Sequence, residues 1–453
     1  MLLAGNCLPV IVAQNEACQT IKVCIGNNPK EFTLGASGDY QLIDPGSGKQ
    51  LYTGSKEIKC KVTSDSTKYY SVFIDTFYTY DDADNFGLLL IKRFPTDPGR
   101  RVLAVDDGYF KLEIGTFKAE EEAKTAISTY LSDIPKAAVS QTDVSGISLG
   151  DSLTMRPPTD KTVWQFLIIK PTSQSGMPTY NGRRYRGKIS LYMSGKNFYV
   201  VNELPFEDYL KGVVPSEMPA SWPLEALKVQ AVCARNYAYN FCIKPDNSCF
   251  NIGSTDGYQV YIGYEQESER SNQAVDQTTG MMAIYNNIPI NAYFHSTSGG
   301  MTENSEYVWS SALPYCKAVD SPGEEESPHY AWMKFIGLEE LKKDLSELTG
   351  DIGDIVAFKN VKKGISGRVK TCEIKGTKGT KTLNGENVMY TLGLRSTWFD
   401  FVFITGGVVA CGRGWGHGIG MSQYGSKAMA VAGKKYVDIV KHYFTGVEVK
   451  KWY

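Results

Sequence analysis

No charge of one sign dominates this chain. Its 48 lysines and arginines stand against 49 aspartates and glutamates, and no block of basic residues gathers locally, so there is no field to draw in nucleic acid or an anionic membrane. Long apolar runs are also missing: none approaches the roughly 18 residues that a bilayer-crossing helix needs, so no transmembrane segment is expected. The ten cysteines include no Cys-x-x-Cys pair, and the four histidines, His295, His329, His417 and His442, have no partner at metal-ligand spacing. Hence no metal and no cofactor is expected. Phosphate-cradling glycine loops are absent too, because the glycines around residue 416 lack the Gly-Lys-Ser/Thr ending. The one literal G-x-S-x-G match, "GISLG" from Gly146 to Gly150, lies in a polar linker without the strand-to-helix setting of a nucleophile elbow.

What remains is a globular composition. At 453 residues with 42% apolar side chains, the chain is long enough for two or three domains with real cores. Its 28 tyrosines and 44 glycines suit shallow surfaces where flat rings meet uncharged, polyhydroxylated ligands. The opening "MLLAGNCLPVIVAQNEA" reads either as the remnant of a secretion signal, residues 1–20, or as a frayed terminus; the first implies an extracytoplasmic protein. Cys242 and Cys249 enclose the short loop "CIKPDNSC" and form either a disulfide or two separate thiols.

Along the chain the expected organisation is a strand-rich segment over 21–64, a repeat module over 65–138, a linker over 139–162 and a large domain over 163–453, an α+β fold overall. The repeat is "YYSVFIDTF" from Tyr69 and "YFKLEIGTF" from Tyr109, each followed by an acidic turn and a stretch of helix formers. Two such strand-turn-helix copies resemble the SPOR domain, a small sheet-and-helix module that binds peptidoglycan glycan; the alternative is an ordinary α+β spacer.

In the large domain, "VVPSEMPASWPLEALKVQAVCARNYAYNF" predicts a loop around Glu217 and then a helix from near Ser221, with Pro223 in its first turn. Leu224, Leu227, Ala231, Ala234, Ala238 and Phe241 form one apolar stripe, with Arg235 and Tyr239 four apart on another face. Breaking a glycosidic bond needs a proton at the leaving oxygen, and a carboxyl beside Val213, Val214, Pro215, Met218, Pro219 and Trp222 can keep one. A capping or salt-bridged glutamate is the bland alternative. Two further segments carry polar chemistry. "NAYFHSTSGGMTENSEYVW" brings His295, Ser296, Thr297 and Ser298 ahead of two glycines; neighbours on a strand point to opposite faces, which argues against a His295–Ser296 hydrolase pair. "GRGWGHGIGMSQYGSKAMAVAG" stands Trp415 and His417 on a backbone that can approach a ligand closely.

These segments, with "QVYIGY", "PYCKAVDSP" and "GLRSTWFDF", resemble the SpoIID/LytB family in order and spacing over roughly residues 160 to 453. The resemblance implies a strand-rich domain with a catalytic helix and a lytic transglycosylase that cleaves peptidoglycan between N-acetylmuramic acid and N-acetylglucosamine, favouring glycan stripped of peptides. It implies Glu217 as general acid and then base, with Arg235 and Tyr239 supporting it. His295, Ser296, Ser298, Trp415, His417 and Gln423 are assigned to glycan binding or site shaping. One carboxylate suffices for that route, whereas inverting hydrolysis needs a second acid; Asp208, Glu303 and Glu306 are the acids to weigh for that role. From the LytB side comes the alternative, a non-catalytic wall-binding protein that stimulates a partner amidase. Two departures stand out. Some members hold zinc through a histidine and two cysteines, but Gly253 and Tyr258 occupy the cysteine positions here, and "NVMYT" replaces the usual aromatic-arginine pair before "LGLRST".

Overall fold

The computed structural model describes residues 18–77, 80–96, 98, 100–104, 110–149, 153–155, 163–194, 197–243, 249–309 and 311–453. The secretion-signal reading up to residue 17, Tyr109, and linker residues 150–152 and 156–162 fall outside these; 139–149, read as linker, lie in strand Ala138–Leu149. Two compact units divide the chain: one comprises Thr20–Tyr209 with residues 249–265, the other Leu210–Ile243 and Gln266–Tyr453 together with Cys18 and Gln19.

This division differs from the expected boundaries, and strand pairing is the reason. Thr20–Asn27 lies antiparallel to Asn197–Pro205, and Tyr40–Ile43 lies antiparallel to Val163–Pro171, so the opening segment and the strands after the linker share one seven-stranded sheet. The repeat region keeps its predicted strand-then-helix order. Ile58–Phe77 leads to helix α1 (Tyr80–Ile91), and Phe110–Phe117 leads to helix α2 (Glu120–Tyr130). With Arg100–Ala104 and Ala138–Leu149 these give a β-α-β-β-α-β module whose central strands are the two repeat copies, paired antiparallel. Alternation sorts its two faces: Val72, Ile74, Leu112 and Ile114 pack with Ala83, Leu90, Ala123 and Ala126 from the helices. On strand Phe110–Phe117, Glu113 points the other way and is fully enclosed, accepting from Ser71 at 2.9 Å and Ser140 at 2.8 Å and pairing with Lys111 at 2.6 Å.

The other unit is built around helix α4 (Leu224–Cys242). Its start corrects the sequence reading: Pro223 is the N-cap in extended conformation, after a tight turn closed by Trp222 N–H donating to the Pro219 carbonyl, so the helix begins at Leu224 rather than Ser221. Burial also runs almost round the whole circumference instead of along one stripe, and Leu224 and Phe241 are only half-buried. Among the polar residues that this encloses, Asn236 is held by strand Met281–Tyr285 and the Ile290 carbonyl that follows it. Asn236 donates to the carbonyls of Ala283 at 2.7 Å and Ile290 at 3.1 Å and accepts from Ala283 N–H at 2.8 Å. A cystine, Cys18–Cys242, ties the end of α4 to a residue 224 positions earlier. This corrects both readings of Cys242 and Cys249, as a disulfide or as two thiols: Cys242 bonds to Cys18, and Cys249 is buried outside that cystine, packed with Tyr192 and Val201 in the first unit. A separate core within residues 332–410, around Trp332, Leu341, Ile374 and Phe399, supports the loops described next.

Candidate active site

Glu217 is not in a loop. It is the last residue of helix α3 (Phe206–Glu217), whose first turn carries the acidic pair Glu207 and Asp208. Pro215 sits inside the final turn, where only one N–H is given up; Ser216 Oγ donates to the Gly212 carbonyl at 2.7 Å and Met218 N–H to Val214 at 2.9 Å, which closes the helix end. Val213, Val214 and Met218 are fully buried, while Glu217 is partly exposed. Helix α5 (Glu269–Gln277) braces the chain on either side of it: Asp276 pairs with Lys211 at 3.1 Å, and Arg270 Nε donates to the Trp222 carbonyl at 3.1 Å.

Arg235 and Tyr239, read as lying on another face from the apolar stripe, are both enclosed. Arg235 Nη1 donates to the carbonyls of Ala231 at 3.4 Å and Met281 at 3.2 Å, and the Tyr239 hydroxyl accepts from the Trp452 indole at 3.1 Å. Both side chains therefore lie beneath the surface, bonded to elements packed on α4.

The His295 segment and the glycine loop meet as neighbours. Phe294–His295 runs parallel to Met421–Ser422, and Thr297 and Trp415 exchange both main-chain hydrogen bonds, at 3.1 and 2.9 Å. The glycines matter at two points: a Cβ at Gly414 would meet the Thr297 carbonyl at 2.5 Å, and one at Gly418 would meet Arg368 Nε at 1.9 Å. Both histidines are committed. His295 Nδ1 faces the Ile419 carbonyl at 3.2 Å and must donate, so Nε2 accepts the Ser298 hydroxyl at 2.9 Å. His417 Nδ1 accepts from Ile419 N–H at 3.0 Å. Burial pushes His417 down to about 4, aided by the nearby Arg368 charge, and moves His295 in the same direction. Neither is available as a general base.

Three buried charges hold these loops. Glu324 accepts from Ser298 N–H at 2.9 Å, Gly300 N–H at 2.8 Å and the Ser422 hydroxyl, and Glu303 accepts from Ile365 N–H at 3.2 Å and from both Ser366 donors at 3.1 and 2.7 Å. Arg368 Nη2 donates to the Ser298 carbonyl at 3.0 Å. Its Nε and Nη1 have no protein acceptor among the described residues, so Glu303 and Glu324 act on it through space. Burial pushes its guanidinium down to about 10, against the pull of those carboxylates.

Of the residues assigned to glycan binding or site shaping, His295, Ser298 and Gln423 are buried, the last donating to Gln230 Oε1 at 3.3 Å. Ser296 is half-buried, its carbonyl accepting from Tyr424 N–H, and Trp415 is 45% exposed. His417 packs against Trp309 and His295. As for a second acid, Glu303 is spent on backbone donors, Glu306 pairs with Lys317 at 3.1 Å, and Asp208 lies at the opposite end of α3. Sequence reasoning passed over Glu324, Arg368, His329, Tyr424 and Arg395, none of which stands in a motif that identifies it alone. Among the described residues, no three His, Cys, Asp or Glu side chains converge to hold a metal ion. At the family's zinc position, a Cβ on Gly253 would meet the Tyr258 ring at 2.7 Å, so the residues present do not fit that ion.

A family model described as stage II sporulation protein matches residues 194–285. Stage II sporulation protein D of Bacillus amyloliquefaciens is 38% identical over 269 residues, an alignment covering 55% of this chain and 76% of that one. The chain belongs to the stage II sporulation protein D family. The Bacillus subtilis (strain 168) member is 37% identical over 271 residues, with 55% and 76% covered. The amidase enhancer of Bacillus subtilis (strain 168) is 30% identical over 473 residues, covering 90% of this chain and 64% of its own length. Glu217, Arg235 and Tyr239 of this sporulation protein D relative fall in the first matched stretch; Glu324, Arg368 and Trp415 fall in residues 304–420, which match a domain of unknown function.

Proposed function

We propose that this protein is an extracytoplasmic lytic transglycosylase acting on peptidoglycan glycan strands, with Glu217 as its acid and base. The observation that carries this reading is the division of labour among the carboxylates. Glu217 is partly exposed at the end of a braced helix, while Glu303 and Glu324 are buried and committed to loop backbone. In the proposed step Glu217 gives its proton to the oxygen between N-acetylmuramic acid and N-acetylglucosamine, and that bond breaks. The muramic C6 hydroxyl then attacks the anomeric carbon and yields its proton to the Glu217 carboxylate, which restores the acid and leaves an anhydro end without water. Arg235 and Tyr239 fix α4, and the β-α-β-β-α-β module, read as SPOR-like, would hold the strand.

Mass spectrometry of peptide-free glycan incubated with wild type and with Glu217→Gln tests this. Anhydro-muramic ends made only by wild type are expected; reducing ends would mean a hydrolase with a second acid. The amidase-enhancer relative favours a second reading, a non-catalytic wall protein that stimulates an amidase. Stimulation untouched by Glu217→Gln, with no glycan cleavage by wild type, is its expected signature.

A further inference from the structure

One sheet in the unit that holds Glu217 has an outer side that is apolar and bare. Strand Gly407–Arg413 runs between Ala331–Gly337 and Phe399–Ile404, antiparallel to both. Alternation turns Trp332, Ile336, Val408, Ala410 and Phe399 into the core and leaves Met333, Phe335, Val409, Cys411 and Val402 on the opposite face. Met333 is 78% exposed, Phe335 58%, Val402 54% and Ile404 48%, and Leu338 adds 41% where the sheet ends. A contiguous apolar face of this kind marks an interaction site.

The face is ordered before anything covers it. A Cβ at Gly407 would meet the Phe335 ring at 2.6 Å, so that ring already lies across the central strand. The acid beside it, Asp400, is held by Lys363 at 2.7 Å. Strand addition at the Phe399–Ile404 edge is obstructed, because Phe358 stacks on Phe401 at 3.9 Å next to that ion pair. A partner therefore has the face to use, not the edge.

The two ends of the face differ in charge. Arg413, opposite Ala331 in the register, is exposed and has no carboxylate partner among the described residues. At the other end, Leu338 N–H donates to the Gly406 carbonyl, and Glu339 and Glu340 stand exposed in the first turn of helix Leu338–Thr349. Lys342 of the same helix is taken by Asp354 at 2.7 Å. An apolar middle with a cation at one end and acids at the other is complementary to itself when a second copy is laid on it with the strands reversed. The acids also oppose an anionic bilayer as the occupant.

The geometry points to a two-fold dimer of this chain, in which the outer faces of this sheet stack with strands antiparallel and Arg413 of each copy meets Glu339 and Glu340 of the other. Each copy would bury on the order of 500 Å² of apolar side chain, about 1,000 Å² in total, the lower limit of a specific interface, so the dissociation constant is on the order of 10 µM. The dimer brings two Glu217 residues into one particle, and the inference stands whether or not Glu217 cleaves glycan.

Sedimentation equilibrium of the full chain between about 1 and about 100 µM tests it. A shift from monomer to dimer across that range is expected; monomer throughout overturns the proposal, and so does a dimer that Met333→Lys leaves intact. That variant should raise the dissociation constant on the order of tenfold and still melt at the wild-type temperature, because the side chain it replaces is already in water. Arg413→Glu should weaken the dimer, and adding Glu339→Arg and Glu340→Arg should restore it; no recovery overturns the proposal. A further measurement needs no variant. Cys411 is half-buried on this face, whereas the other free cysteines among the described residues are buried. Its alkylation, followed at its own peptide, should slow several-fold from the low to the high concentration, and a rate independent of concentration would also overturn the dimer.

Discussion

Acidification should loosen the unit that carries Glu217, and His417 sets the size of the effect. In an unfolded chain an imidazole titrates near about 6.5; in the native protein burial holds His417 to about 4. Between those values only the unfolded state takes up the proton, so the stability that neutral His417 secures is complete above the unfolded value and is lost as pH falls towards the native one. Integrating the linkage between about pH 7 and about pH 5 gives a loss of about 2 kcal/mol from this residue. His295 adds to the loss in the same direction. For a unit of this size that is a drop of roughly 4–8 °C in melting temperature. Tryptophan fluorescence is the natural probe, since six of the seven tryptophans lie in this unit. His417→Asn keeps an acceptor for Ile419 N–H and removes the titration, so its melting temperature should fall by that much less than wild type over the same interval. An equal fall in both proteins would refute the assignment of a suppressed imidazole at this position.

Two further expectations concern stability. Gly418 has φ +79° and would set a Cβ against the buried Arg368 guanidinium, so Gly418→Ala should cost more than about 3 kcal/mol in chemical denaturation; a midpoint equal to wild type would show that Arg368 can move aside. Cys18→Ser should cost about 2–4 kcal/mol and remove the sensitivity of melting to reductant. Reductant sensitivity that persists in Cys18→Ser but vanishes in Cys249→Ser would place the cystine elsewhere.

Local patterns were legible in the sequence where the structure is local. The two strand-helix copies in the repeat show themselves because alternation and helix propensity act over a dozen residues, and α4 shows itself for the same reason. Its start was misplaced by three residues because a proline fits the N-cap as well as the first turn. Glu217 looked like a loop residue because prolines flank it at 215 and 219, yet a proline in a closing helical turn forfeits only one hydrogen bond. Other features depend on segments far away in the chain. Arg235 and Tyr239 read as a face apart from the apolar stripe, and nothing near them predicts that the Met281 carbonyl and Trp452 cover them. The same holds for Thr20–Asn27, whose partner strand lies about 180 residues later in the register.

The buried network gives a physical reason for so many glycines at 412–420. A loop made largely of glycine is entropically costly to order and would be a poor platform for a binding ring. Here the ordering comes from fixed charges underneath. Glu324 and Glu303 draw main-chain N–H groups of the 298–300 and 365–366 loops onto their carboxylates, Arg368 holds the Ser298 carbonyl, and Thr297 in turn pairs with Trp415. Each of these bonds ends on backbone, so the side chains above them remain free to differ. A Cβ at Gly414 or Gly418 would fill the space through which the loop approaches this base. Glycine there is therefore what lets the charges reach the backbone, and the charges are what keep Trp415 in place despite the glycines.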